Sequence, residues 1–187
     1  MDGFIYSFIK IIPDWIRPNH LSFFRIVLVG PIVFLLLNGK NIAAIVIFLF
    51  AILLDVFDGV LARTRGQRTA RGEWLDPLAD KFLVLGVLWL YGLSFIPLWM
   101  VIVITSLEFL IVVSRPFKMK LGKSTGANQW GKIKMTLQSF AVLGLMTGIE
   151  TIRPVFVFLL LPAIVFAGLS FFFQFRGVFG LIFSKKN

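Results

Sequence analysis

Long apolar runs separated by short polar or basic turns dominate this sequence. Hydrophobic residues make up 58% of the 187 residues, and about 20 consecutive apolar residues let an α-helix cross a bilayer. The pattern predicts an all-α integral membrane protein of one domain, residues 1–187, with six transmembrane helices. We place these helices at about residues 20–37, 42–62, 73–92, 95–114, 129–148 and 152–175. The amphipathic stretch 1–17 predicts a further helix lying in the membrane interface, ahead of a six-helix bundle at 20–175.

The positions of the lysines and arginines predict the orientation of these helices. Lys40 and Arg153 fall at turns on one side, whereas the other basic residues fall at or near the opposite side or the chain ends. Cytosolic loops carry the excess of basic residues in membrane proteins. Both termini and the turn at 63–72 are therefore predicted to be cytosolic. The same rule accounts for the net charge of +10 without a nucleic-acid partner.

Four aspartates border the basic turn at 63–72. Asp55 and Asp58 are three residues apart, and Asp76 and Asp80 are four apart, so each pair shares one face of a helix. Folding the two helices back around the turn places Asp55 level with Asp80 and Asp58 level with Asp76. At 1.5 Å per residue, Asp55 and Asp80 lie roughly 12 Å inside the turn. Four carboxylates should therefore converge at one depth below the membrane surface.

Such a cluster repels itself unless cations or protons balance it. The sequence has no cysteine, and its one histidine, His20, is distant in sequence. An all-oxygen site is typical of Mg²⁺, Mn²⁺ or Ca²⁺, and four carboxylates suit a pair of ions that clamps a phosphoryl group. The alternative is a set of buried ion pairs with neighbouring arginines. Arg25, about one turn inside the first span, likewise needs an anionic partner.

The aspartates belong to the pattern D-x2-D-G-x2-A-R-x8-G-x3-D-x3-D, which resembles the signature of the CDP-alcohol phosphatidyltransferases. The pattern is matched at Asp55, Asp58, Gly59, Ala62, Arg63, Gly72, Asp76 and Asp80. The resemblance implies an enzyme that passes the phosphatidyl group of a CDP-lipid to an alcohol and releases CMP. It also implies two Mg²⁺ or Mn²⁺ ions on the four aspartates, with Asp80 as the general base for the acceptor hydroxyl.

The resemblance further implies a site for the CDP moiety. Its residues would be Asn19, Ser22, Asp55, Gly59, Ala62, Arg63 and Gly72. Asn19 and Ser22 belong to the stretch Pro18–Arg25, which resembles the P-N-x-L-[ST]-x-x-R segment of many bacterial members. Each assignment has a structural alternative: helix capping for Asn19 and Ser22, close helix packing for Gly59 and Ala62, and loop-side charge for Arg63.

A second basic cluster predicts where the acceptor binds. Arg115, Lys132 and Lys134 would hold a phosphorylated alcohol, although snorkelling of the lysines to the interface is the alternative. Residues 131–138 resemble G-K-x-K-T-x-x-Q of the bacterial phosphatidylglycerophosphate synthases. The sequence departs from that branch at Met135, at Leu107-Glu108 and at Ser114-Arg115-Pro116, and these departures concern the acceptor.

The sequence predicts a multi-pass cell-membrane protein with its active site on the cytosolic side. The resemblance implies that it is an enzyme of phospholipid biosynthesis, transferring the phosphatidyl group of CDP-diacylglycerol to glycerol 3-phosphate among membrane lipids and as a homodimer. Inositol phosphate or another polar alcohol is the alternative acceptor. A divalent-cation channel or carrier is the alternative from a different class of protein.

Overall fold

The computed structural model describes residues 18–64, 72–120 and 129–184, with side chains described at 19–58, 60, 61, 64, 78–114 and 129–175. These residues form six α-helices and no β-strand. The helices are α1 Pro18–Leu37, α2 Asn41–Thr64, α3 Gly72–Leu90, α4 Leu98–Lys120, α5 Gln129–Met146 and α6 Arg153–Ser184. A short 3₁₀ helix at Gly92–Ser94 follows α3. The predicted interfacial helix at 1–17 lies outside the described residues.

The chain divides into two compact units, Met1–Tyr91 and Gly92–Asn187. In the first unit, α1 is the central helix, because it packs extensively against both α2 and α3 whereas α2 and α3 touch each other only slightly. The turn between α1 and α2 lies at Asn38–Lys40, as the sequence predicts. Gly39 adopts a φ of 69° there, in the left-handed region that glycine enters without steric cost.

The second unit repeats this arrangement with a different order of helices. Here α6 packs against both α4 and α5 and is therefore the central helix. Trp130 of α5 stacks on two phenylalanine rings of α6, Phe166 at 5.7 Å and Phe173 at 6.2 Å between ring centroids. Stacked rings of this kind add stabilisation beyond the area they bury.

The helices agree with the predicted runs, and three of them are long and apolar enough to cross a membrane. These three stretches are Asn19–Leu37, Asn41–Asp58 and Arg153–Phe175, and Leu98–Ser114 is a shorter apolar stretch. Helices α4 and α6 continue past the predicted ends at 114 and 175. Lysine and arginine are good helix formers, so the basic residues after 114 in α4 and the single Arg176 in α6 do not end these helices.

Gly144 gives a test of the packing between α5 and α6. A Cβ atom at Gly144 would overlap the Phe156 ring of α6, so Gly144→Ala forces that ring or one of the two helices to move. We expect a loss of about 1–3 kcal/mol in the free energy of unfolding, measured in detergent. Gly168→Ala on α6 is the matched control, since a Cβ there meets no atom within 4 Å. Equal stability of the two variants would contradict this packing.

Candidate active site

Arg25 lies at the centre of the first unit, surrounded by carboxylates from two other helices. Its Nη1 donates a hydrogen bond to Asp55 Oδ1 at 2.7 Å and another to Asp80 Oδ1 at 2.5 Å. Its Nη2 donates to Asp58 Oδ2 at 2.5 Å. Because Asp55 and Asp58 come from α2 and Asp80 comes from α3, one guanidinium of α1 connects all three helices.

The burial of this cluster is graded. The Arg25 side chain is 0% exposed and that of Asp58 is 2% exposed, whereas the Asp80 and Asp55 side chains are 23% and 42% exposed. Ser22, one turn before Arg25 on α1, is also buried. Its Oγ donates a hydrogen bond to Asp58 Oδ2 at 3.3 Å. The cluster therefore has a buried side at Asp58 and an accessible side at Asp55 and Asp80.

Helical spacing explains why these residues meet. Ser22 and Arg25 are three residues apart on α1, as Asp55 and Asp58 are on α2, so each pair projects from one helix face. The central position of α1 then brings Arg25 between α2 and α3. The prediction that Arg25 needs an anionic partner is confirmed. Asp55 and Asp80 reach the same guanidinium nitrogen, although α1 lies between most of α2 and α3.

The donor set suits the hard divalent cations that the sequence predicts, but the arrangement is one of ion pairs. Among the described residues, no three acidic or histidine side chains are grouped as ligands of a metal ion; Arg25 lies among the carboxylates. Among these four described side chains, three carboxylates surround one guanidinium. Hard divalent cations bind carboxylate oxygens, and the carboxylates of Asp55 and Asp80 are partly exposed. The residues therefore fit such an ion.

Several predicted site residues cannot be placed at the level of side chains. Gly59, Ala62 and Arg63 belong to α2, Gly72 and Asp76 to α3, and Arg115 to α4, but their side chains lie outside the described residues. Asn19, at the second position of α1, is partly exposed. Of the residues predicted to contact CDP, Ser22 and Asp55 are thus shown within the Arg25 cluster.

The second unit contains a buried ion pair that the sequence analysis did not identify. Lys134 Nζ on α5 donates to Glu108 Oε1 on α4 at 2.5 Å, and both side chains are buried. Lys132, two residues earlier, is exposed, so the two lysines predicted to bind the acceptor lie on different faces of α5. An acidic residue inside the apolar run of α4 was the available signal, because a charge in such a run needs a partner.

Further polar side chains are buried in this unit. Ser114 Oγ of α4 lies 3.3 Å from Gln174 Oε1 of α6, and Gln174 Nε2 lies 3.4 Å from Ser170 Oγ. Gln138, one turn after Lys134, is buried, and its Nε2 has no hydrogen-bond partner in the part of the chain that the structure describes. In the sequence, Gln138 stands at the last position of the motif at residues 131–138.

The sequence of this protein matches a known family. The sequence model of CDP-alcohol phosphatidyltransferase matches residues 15–174, and the chain therefore belongs to the CDP-alcohol phosphatidyltransferase family. It is accordingly a transferase of phospholipid biosynthesis and a membrane protein. The family generally uses divalent metal ions.

Three relatives with similar sequences are each named a CDP-diacylglycerol–glycerol-3-phosphate 3-phosphatidyltransferase. The protein of Bacillus subtilis (strain 168) is 40% identical over 107 residues, which are 57% of this chain and 55% of that protein. The protein of Escherichia coli (strain K12) is 35% identical over 137 residues, 69% of this chain and 75% of that protein. The protein of Sodalis glossinidius (strain morsitans) is 34% identical, with the same coverage. The Bacillus match thus spans little more than half of that relative.

Proposed function

We propose that this enzyme transfers the phosphatidyl group of CDP-diacylglycerol to glycerol 3-phosphate, giving phosphatidylglycerophosphate and CMP. The acceptor hydroxyl oxygen forms a bond to the β-phosphorus, the bond from that phosphorus to the oxygen of CMP breaks, and the hydroxyl proton passes to a base. The convergence of Asp55, Asp58 and Asp80 on Arg25 carries the proposal. The relatives' names support the choice of both substrates.

Asp80 is proposed as the general base. Its carboxylate is partly exposed and fixed by Arg25, and an ionised carboxylate accepts a proton from a hydroxyl within hydrogen-bond reach. We propose that Asp55, Asp58, Asp76 and Asp80 hold two Mg²⁺ or Mn²⁺ ions. When bound, such ions supply charge stabilisation to the diphosphate and to the departing CMP.

The CDP moiety is proposed to bind on the accessible side of the Arg25 cluster. Asn19, Gly59, Ala62, Arg63 and Gly72 would contribute from the ends of α1, α2 and α3. Ser22 has a more indirect role in this proposal. Its hydroxyl is fully buried and lies within hydrogen-bond distance of Asp58, so it would act on nucleotide binding by orienting that carboxylate.

The acceptor phosphate is proposed to bind at Arg115, Lys132 and Lys134. The buried pair with Glu108 changes what Lys134 can contribute, because its charge is already largely balanced. Lys132 is exposed on α5, so its charge is accessible. We therefore assign Lys132 and Arg115 the larger share of the phosphate's charge, and we assign Lys134 a hydrogen bond from a fixed position.

The proposal includes the setting of the enzyme. The aspartates face the cytosol, where CDP-linked and phosphorylated substrates are available, and both termini lie on that side of a six-span bundle. The distribution of basic residues supports this orientation. The enzyme works on lipid within the bilayer and as a homodimer.

The direct test is release of CMP by the purified enzyme from CDP-diacylglycerol. Glycerol 3-phosphate, inositol phosphate, free inositol and serine are supplied in turn, each with Mn²⁺ or Mg²⁺ and with excess chelator. We expect turnover with glycerol 3-phosphate and a divalent cation, and a loss of at least about 10³-fold in chelator, since the charges on the diphosphate would be poorly stabilised.

Each outcome of this assay has one meaning. Preference for inositol phosphate would keep the reaction and replace the acceptor. Turnover with free inositol or serine alone would contradict the phosphate site on α4 and α5. Full release of CMP in chelator would contradict the role of the metal. No release of CMP with any acceptor, together with uptake of Mn²⁺ into vesicles that contain the protein, would favour a cation carrier.

A further inference from the structure

The position of Arg25 suggests a task that the reaction itself does not require. Its side chain is fully buried, and its two Nη atoms contact all three described aspartates of the cluster. Its Nε has no hydrogen-bond partner among the residues that the structure describes. Its two Nη atoms therefore direct the guanidinium at the carboxylates.

The charges explain why such a residue is needed. Asp58 is almost completely buried, and a buried carboxylate without a counter-charge is strongly destabilising. Asp55 and Asp80 approach the same nitrogen atom and repel each other as like charges. Without a cation between them, their repulsion would push α2 and α3 apart.

We propose that Arg25 is a positioning residue that holds Asp55, Asp58 and Asp80 together when no divalent cation is bound. This inference rests on the proposed function only in taking a divalent cation as a ligand of these carboxylates. Arg25 and the cation then stabilise the same arrangement of three helices by the same means. Loss of one makes the protein depend more on the other.

The geometry also indicates why the residue is an arginine. The guanidinium presents several N–H donors in a fixed plane, so its Nη1 and Nη2 serve carboxylates on two helices at once. A lysine ammonium is a single point of charge on a flexible stem. Arg25→Lys should therefore restore part of the charge balance but not the full connection between α1, α2 and α3.

Thermal unfolding of the purified protein tests the proposal without measuring turnover. Wild type, Arg25→Gln and Arg25→Lys are compared in excess chelator and in Mn²⁺, and binding of Mn²⁺ is followed by electron paramagnetic resonance. In Arg25→Gln we expect Mn²⁺ to raise Tm by at least about 5 °C more than in wild type. We also expect Mn²⁺ to bind roughly tenfold more tightly, since one positive charge has been removed. Arg25→Lys should lie between the two.

Two further variants separate charge balance from packing. Arg25→Gln combined with Asp58→Asn also removes the buried charge that Arg25 balances and should recover most of the Tm lost in chelator. Arg153→Gln is the matched control. Arg153 lies in the second unit, 3.9 Å above the Phe95 ring and 4.0 Å from the exposed Glu150, so its loss should lower Tm equally in chelator and in Mn²⁺.

Equal loss of Tm by Arg25→Gln in both conditions would overturn the proposal, as would a double variant no more stable than Arg25→Gln alone. If Arg25→Gln does not fold even in Mn²⁺, the double variant decides, and its failure to fold counts against charge balance. Inability of Mn²⁺ to bind or stabilise any variant would also overturn it. Failure of the glycerol 3-phosphate assay with these shifts intact would reject the acceptor and leave the role of Arg25 standing.

Discussion

Asp58→Asn is expected to abolish release of CMP while leaving the protein folded. The side chain is the most buried of the three described carboxylates and contacts both Ser22 and Arg25. Asparagine keeps the size and one oxygen acceptor, so the packing of α1 on α2 should survive. It removes the negative charge that the proposed metal site requires. We expect turnover to fall by at least about 10²- to 10³-fold, measured as CMP released with saturating Mn²⁺.

Glu150→Gln is the matched control, because Glu150 is an acidic residue at the surface, with a side chain that is 88% exposed. Its turnover should stay near that of wild type. Asp76→Asn should behave like Asp58→Asn if Asp76 completes the ligand set. Near-normal turnover by both Asp58→Asn and Asp76→Asn would show that the metal ligands have been assigned to the wrong residues.

Lys134→Ala is expected to destabilise the protein by about 3–5 kcal/mol, since it leaves Glu108 buried without its counter-charge. Unfolding in detergent measures this loss. Lys132→Ala is the control two residues away, and its exposed side chain predicts a change within about 0.5 kcal/mol. A loss of similar size in both variants would contradict the buried ion pair as the source of the effect.

A double variant separates the contribution of Lys134 to the stability of the protein from its role in binding the acceptor. Lys134→Met with Glu108→Gln removes both charges and should restore most of the stability, because neither partner is left alone. If Lys134 also binds the acceptor, this stable variant should still show a raised KM for glycerol 3-phosphate and an unchanged KM for CDP-diacylglycerol. Wild-type KM values for both substrates would assign Lys134 a structural task alone and leave binding of the acceptor to Lys132 and Arg115.

The sequence by itself determined the class of fold and the convergence of the aspartates. Apolar runs bounded by turn residues such as Gly39 were sufficient to predict the six helices of the described residues, because helices in a membrane must satisfy their own backbone hydrogen bonds. The spacing of Asp55, Asp58 and Asp80 was sufficient to predict that they converge, since the helical period fixes which residues share a face. The family followed from the same spacing.

Only the tertiary structure decided which charges meet. The sequence predicts partners for buried charges, but it does not state which helix supplies them, because that depends on the order in which the helices pack. With α1 between α2 and α3, the counter-charge of the aspartates is Arg25, 30 residues from Asp55 along the chain. The packing of the second unit likewise pairs Lys134 with Glu108, 26 residues away. Helical periodicity identifies the face on which each charge lies, but it does not identify the helix that packs against that face.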